Sequence, residues 1–408
     1  MVCFRALEGE YFMRKLGLLP RIIIAILLGT GAGLIMPDWF IRIFATFNHI
    51  FGQFLSFLIP LIILGFIIPG IGELGRGAGK LLGITALIVY VSTVLSGMLA
   101  YGVAKTTFPW LLSGASGLRA SNPEEMLLTS YFKLDMPPVF DIMTALLLSF
   151  VIGVGITFVK SNVLLTASLE FKEIVGKVIN AILIPLLPFH IAGIFMNMTQ
   201  AGEVAFILQV FLKVFLVILL LHAVVIVGQY TIAGILNKRN PISMLRTMLP
   251  AYLTALGTQS SSATIPVTMS QVKKLGTDEE VSNFVVPLCA TIHITGSTVT
   301  ITSVASAIMY INGAPLSVST MMPFIFMLGI SMIAAPSVPG GGVMAATGLF
   351  QSMLGFDEAM ISLAIALYIA QDSFGTAANV TGDGAIAQII HSIKNKWQGK
   401  TRAEKASG

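Results

Sequence analysis

The chain has 408 residues, 55% of them hydrophobic and only 11% charged, against about 25% charged in ordinary soluble domains. So apolar a chain cannot dress a water-facing surface, which excludes a soluble enzyme or binding module and places it in the membrane class. The net charge of +5 sits in short connections (Arg14/Lys15, Arg76/Lys80, Lys238/Arg239, Lys273/Lys274 and Lys394 to Lys405). It therefore reports topology, with those loops and both termini cytoplasmic, and no nucleic-acid partner.

In chain order, Met1 to Phe12 carries Arg5, Glu8 and Glu10 without an apolar core, so no cleavable signal peptide is expected and the first apolar run is a retained span. The runs Ile22–Met36, Phe54–Ile71, Leu81–Val103, Ile142–Val159, Val178–Met196 and Phe206–Ile235 each suit a span of about 20 residues. With the C-terminal region they make about eight spans in the cell membrane. The polar connection Thr106 to Pro138 and the turn Ile311 to Pro315 are expected outside, and Lys238–Pro241 inside. Cys3 and Cys289 are too few for a disulfide framework or a metal site. Spans of the first half hold almost no ionisable residue and read as a scaffold. Polar residues gather from Gln259 to Asp383, which reads as a moving, cargo-holding part.

Two polar segments interrupt the apolar sequence of the last third, QSSSATIP (Gln259 to Pro266) and APSVPGGGVMAATG (Ala335 to Gly348). A broken helix survives at membrane depth only when wrapped in protein or lining a water-filled cavity, and paired interruptions point to a transporter's binding site. The first offers hydroxyls at Ser260, Ser261, Ser262 and Thr264 and exposed backbone N–H groups, a seat for a carboxylate; its bland reading is a local turn or close helix packing. In the second, Pro336 and Pro339 flank Val338 and Gly340, Gly341 and Gly342 follow, a hairpin tip suited to a gate. A phosphate-cradling loop does not fit, since no Lys follows and no strand precedes.

Asp372 and Asp383 lie in the last apolar run, Met360 to Ile390. A carboxylate within a span costs roughly 2.5–3.5 kcal/mol on insertion scales and is functional by default. No Lys or Arg lies in that run, so a substrate ammonium is expected at one and a metal ion at the other, against the alternative of pairing with a distant basic residue. Asn379-Val380-Thr381 matches a glycosylation sequon that no glycosyltransferase reaches inside a span. His293, in the span before the second interruption, is either a packing residue or a proton carrier; His49, His190, His222 and His391 show no partner in sequence. Another class enters through Gly114-Ala115-Ser116-Gly117, which matches the GxSG of intramembrane serine proteases. It lies in a polar connection and lacks the buried helix start such a nucleophile needs; labelling of Ser116 by a fluorophosphonate separates the two readings.

The block from Gln259 to Asp383 resembles the dicarboxylate/amino acid:cation symporter family, which includes glutamate/aspartate transporters. SSSAT at Ser260–Thr264 and VPGGG at Val338–Gly342 are similar to its two hairpin tips, and NVTGD at Asn379–Asp383 to its last-span signature. The resemblance implies an all-α membrane protein of eight transmembrane helices and two re-entrant helical hairpins. It further implies an inverted repeat, a homotrimer and an elevator mechanism in which the second hairpin is the gate. Residues 1–80 and 104–200 would form the scaffold. Residues 81–103 and 201–395 would form the transport domain, with hairpins at 242–272 and 322–350, and 396–408 a cytoplasmic tail.

Carried over by position, Asp372 would hold a substrate ammonium, flanked by Thr376 and Asn379, with Gln259, Ser260, Ser297 and Gly375 also lining the site. Ser261 would hold the α-carboxylate, while Val338 and Gly342 close over it. Asp383 would bind sodium with the carbonyls of Cys289, His293 and Asn379, and carbonyls of Thr291, Met332, Ile333 and Ala335 would form a second sodium site. No organic cofactor is implied.

The departures from the family pattern narrow the substrate. Gly375 stands where acidic-amino-acid carriers place an arginine, and Gln259 where some place another, so no guanidinium fork reads a side-chain carboxylate. Thr295 replaces the aspartate of a third sodium site, as in the serine/threonine branch. The expectation is a small neutral amino acid carried with sodium, a proton being the alternative ion. A dicarboxylate or acidic amino acid carrier and a channel-like conductance remain alternatives.

Overall fold

In lipid a backbone must satisfy its own polar groups, and helices do so within one segment. The computed structural model describes residues 18–75, 80–112, 128–202, 204–333, 335 and 340–407, and among these every regular element is helical. The tetrapeptide Gly114–Gly117 and the second interruption's Pro336, Val338 and Pro339 lie outside the described residues.

In the N-terminal half, α1 (Leu18–Ile35), α2 (Asp38–Gly75), α4 (Ile142–Phe158), α5 (Val163–Val178) and α6 (Ile184–Gln200) pack on one another. A π turn, Ile179–Leu183, joins α5 to α6. Close approach comes from glycine: a Cβ on Gly29 would run into the Ala192 backbone, and one on Gly33 would stand 2.5 Å from the Met196 carbonyl oxygen. Small residues that let backbones touch are the usual glue between membrane helices, where burial in lipid gives no hydrophobic drive.

The second group comprises α3 (Lys80–Leu111), α7 (Val204–Asn237), α8 (Pro241–Thr258), α9 (Ser261–Lys274), α10 (Glu279–Ile292), α11 (Thr295–Ile311), α12 (Val318–Ile333), α13 (Gly341–Leu354), α14 (Glu358–Ile369) and α15 (Asp372–Ser407). α15 is its axis, in contact with α3 and with α7 to α11. α3 crosses α11 and α12, with Gly97 set against Ile325 and Thr298. The groups meet where α2 touches α13 and α6 touches α14. α7 turns Leu212, Leu216, Leu220 and Val224 outward at four-residue spacing, an exposed apolar stripe suited to lipid.

α3 continues unbroken to Leu111, with Tyr101 Oη donating to the Leu316 carbonyl at 2.9 Å, so a division at residue 103 falls inside one helix. α15 runs on to Ser407, so residues 396–407 extend the last helix. Among the described residues, five stretches are long and apolar enough to cross a membrane (Asp38–Gly72, Leu81–Leu111, Val163–Gln200, Leu208–Asn237 and Glu279–Ile311). The pair Glu358–Ile369 and Asp372–Lys396, bent by 61°, makes a sixth.

The Gly29 contact generates a stability test. Gly29→Ala should cost about 1–3 kcal/mol through overpacking, seen as a lower melting temperature in detergent. Gly31→Ala, with nothing within 4 Å of the new Cβ, should not lower it. Equal melting of both variants would mean that the α1–α6 approach is looser than described.

Candidate functional site

Four helix breaks, all in the second group, build the site. The first separates α8 from α9. Asn240 caps α8, its side chain accepting from Ile242 N (2.9 Å), with Pro241 opening the helix, where its missing N–H costs nothing. α8 stops at Gln259, whose φ of +53° is left-handed, and Ser260 caps α9 by accepting from Ala263 N. Thr258 Oγ1 and Thr264 Oγ1 tie the tip across 3.1 Å. The first-turn N–H groups at Ser261 and Ser262 fall outside the helix's own ladder.

The depth of this tip follows from the packing. Gln388 Nε2 donates to the Leu275 carbonyl (3.2 Å) at the hairpin's base, and a Cβ on Gly384 would meet Met248 Cε at 2.7 Å. Thr258 lies a further ten residues along α8, about 15 Å, so the tip runs toward the first turn of α15.

The break after α12 delivers the second hairpin. α13 begins after Gly340, at φ +77°, and Gly340 N donates to Asp372 Oδ2 at 2.7 Å. The hydroxyls of Tyr368 and Thr376 stand beside the same carboxylate. No lysine or arginine pairs with Asp372 among the described residues. Its negative charge rests on the N-terminal end of α13 and on the first turn of its own helix, where backbone dipoles favour it.

The third and fourth breaks fall where the sequence reads as continuous span. His293 and Ile294 are unwound between α10 and α11, and Ala370 and Gln371 separate α14 from α15. Across the former, Asn379 Oδ1 accepts from Gly296 N (2.7 Å) and Asn379 Nδ2 donates to Ser297 Oγ (3.3 Å). Tyr368 Oη donates to the same Ser297 Oγ at 2.8 Å. Gly296 needs its bare α-carbon, since a Cβ would collide with the Gly375 carbonyl. Gly375 has room: the atoms nearest its Cβ would be those of Ser297 and Gly296, at 3.6–3.7 Å.

The structure thus brings Ser297, Gly342, Asp372, Gly375, Thr376 and Asn379 together, while Gln259, Ser260 and Ser261 form the tip of the α8–α9 hairpin that packs on α15. Tyr368 was not foreseen; its signal was its place one turn before Asp372.

Asp383 lies further along α15, fully buried. The sequence argues for a cation as its partner, and the structure places an imidazole there: His293 Nδ1 is 2.9 Å from Asp383 Oδ1. His293 Nε2 faces Ser92 Oγ (3.3 Å) and Gln229 Nε2 (3.4 Å), and Gln229 Nε2 donates to Ser92 Oγ (3.0 Å). Gln229 and Ser92 were visible as polar residues inside the spans Phe206–Ile235 and Leu81–Val103. The Cys289 carbonyl accepts from His293 N (2.8 Å). The residues expected at a second cation site sit at the C-termini of two helices that touch, Thr291 on α10 and Met332, Ile333 and Ala335 at the end of α12. Helix C-termini present carbonyl oxygens and negative dipole ends, the ligand type of a hard cation. Thr295 Oγ1, at the replaced aspartate, is buried without a hydrogen-bond partner among the described residues.

The remaining histidines also find partners. His190 reaches Asn48 and Ser362, His222 the Gly296 carbonyl (3.0 Å), His49 Glu358 and His391 Asp278.

The sodium:dicarboxylate symporter family matches the chain over residues 18–393. A serine/threonine transporter SstT of Acinetobacter baumannii (strain AYE) is 24% identical over 387 residues, covering 91% of this chain and 96% of the relative. That of Acinetobacter baylyi is 26% identical over 384 residues, covering 90% and 95%. An excitatory amino acid transporter of Caenorhabditis elegans is 29% identical over 250 residues, which is 59% of this chain and 49% of the relative. These relatives are transporters, not enzymes.

The tight fit at Gly382 gives a test of the His293–Asp383 pair. A Cβ there would stand 2.6 Å from Gln229 Oε1 and 2.7 Å from His293 Cε1. Gly382→Ala should displace the imidazole and cut uptake about tenfold, the scale of about 1–2 kcal/mol of overpacking at the pair, while the protein still folds. Unchanged uptake would show that the ring does not need its position.

Proposed function

The chain belongs to the sodium:dicarboxylate symporter family, and on that premise we propose that it is a cation-coupled symporter importing a small neutral amino acid. It is a multi-pass cell-membrane transporter. The observation that carries the substrate reading is Asp372, a buried carboxylate held by a hairpin's backbone N–H and with no lysine or arginine paired to it among the described residues. An ammonium is the partner that completes it. First-turn N–H groups at Ser261 and Ser262 suit the α-carboxylate.

Nothing at Gly375 or Gln259 supplies the planar fork that grips a second carboxylate, which favours a neutral side chain over aspartate, glutamate or a dicarboxylate. The names of the full-length serine/threonine relatives point the same way. In this reading Ser297, Thr376 and Asn379 line the pocket, and Val338 and Gly342 belong to the gate.

Sodium is the coupling ion that the family name supports, at Asp383 with Cys289, His293 and Asn379, and at Thr291, Met332, Ile333 and Ala335. A proton is the second reading, and the His293–Asp383 contact favours it, because an ion on Asp383 Oδ1 competes with a ring nitrogen already there. Uptake against imposed sodium or proton gradients separates the two.

Reading the shorter apolar helices Pro20–Ile35 and Leu147–Phe158 as spans beside the six gives eight, with α8–α9 and α12–α13 as re-entrant hairpins. The helix group around α15 would then slide as an elevator against the group around α2, within a homotrimer whose termini are cytoplasmic.

A thermal-shift screen of the twenty amino acids and C4 dicarboxylates, with and without sodium, tests the assignment. Small neutral amino acids should raise the melting temperature, and a preference for succinate or fumarate would overturn it. Asp372→Asn should abolish amino-acid uptake with the fold intact; uptake at wild-type affinity would contradict the ammonium role. Gly375→Arg, whose Cβ fits without collision, should move preference toward acidic substrates. An unchanged ranking in competition uptake would place Gly375 off the cavity.

A further inference from the structure

Tyr368 is buried at 2% exposure in the last turn of α14, and its phenol oxygen meets three parts of the site at once. It donates to Ser297 Oγ at the start of α11 (2.8 Å). It stands beside Asp372 across the 61° bend. It also lies 2.5 Å from where a Cβ on Gly342 would be, with its own Cζ at 3.2 Å and Ser297 Cβ at 3.3 Å. No other atom comes so near that position, so it is the hydroxyl that occupies the space left by the missing side chain of Gly342.

We infer that Tyr368 is a positioning residue of the substrate site: its O–H fixes Ser297, and its hydroxyl is the floor on which Gly342 seats the second hairpin over Asp372. The inference rests on the proposed transport function and adds to it a residue that links gate and pocket. A phenol has one proton to give, and two acceptors, Ser297 Oγ and the Asp372 carboxylate, lie in reach. Donation to Ser297 leaves Asp372 to the Gly340 N–H and to an arriving ammonium. A phenylalanine in its place keeps the ring, and with it the packing of the α14–α15 corner, and loses both the bond and the floor.

The test is a double-mutant cycle read twice, as apo melting temperature and as half-saturation for the amino acid that most stabilises wild type. Tyr368→Phe alone should leave the apo protein folded and raise half-saturation about two- to tenfold, the range of one neutral hydrogen bond. Gly342→Ala should lower the apo melting temperature, because the methyl group has no room beneath it. In the double variant the hydroxyl is gone and the nearest atom is the ring carbon, so Tyr368→Phe should restore a large part of what Gly342→Ala lost, in both readouts.

Losses that simply add, or a Tyr368→Phe protein with unchanged half-saturation, would overturn the inference. Should Gly342→Ala not fold, the cycle of Tyr368→Phe with Ser297→Ala decides. A shared hydrogen bond predicts a double variant no worse than the weaker single, and additive losses contradict it. If no amino acid stabilises the wild type, the transport reading fails on its own, and the apo melting arm still judges the Tyr368–Gly342 contact.

Discussion

Everything at the centre of this molecule depends on broken helices at membrane depth. Each break frees N–H groups on one side and C=O groups on the other, and in lipid both must be answered. The breaks sort these groups by sign. The N-terminal ends of α11, α13 and α15 gather around Asp372, Ser297 and Asn379, and the α8–α9 tip runs toward them. The C-terminal ends of α10 and α12 belong to two helices in contact. A positive backbone field therefore surrounds the place proposed for a zwitterion, and a carbonyl-rich one the place proposed for a cation. Neither needs a charged side chain beyond Asp372 and Asp383, which explains how so few ionisable residues can serve a charged cargo.

The same arrangement ties the proposed cargo site to the proposed gate. Asp372 accepts from Gly340 at the start of the second hairpin, so the residue proposed to hold the substrate also holds the lid. Ser297 receives bonds from both Tyr368 and Asn379, so a change in any one of these helices is felt at one hydroxyl. By linkage, whatever the cation does to substrate affinity, the substrate does to cation affinity by the same factor. In the proposed function, the packed run of α15 from Asp372 through Asn379 to Asp383 would carry that coupling.

Much of this was legible in the sequence, and the reason differs by residue. Proline and glycine clusters marked the second hairpin because they remove donors and permit left-handed backbone, and the serine run marked the first through its capping chemistry. Asp372 and Asp383 announced themselves by cost alone. The breaks at His293–Ile294 and Ala370–Gln371 were not legible, since neither contains glycine or proline; side-chain bonds from Asn379 and the crossing at Gly296 hold the first one open. Tyr368 was hidden because an aromatic residue in an apolar run looks like core. The imidazole beside Asp383 was hidden because its ninety-residue separation is closed only by tertiary packing.

The central claim is that a buried carboxylate under a backbone lid waits for an ammonium. Calorimetric binding of L-serine against L-glycerate tests it most directly, because the two share a skeleton and a carboxylate and differ by a hydroxyl in place of the amine. The account predicts that serine binds in the presence of the coupling ion and that glycerate does not compete with it. Equal affinity for the two would mean that Asp372 reads no ammonium, and would contradict the account at its base.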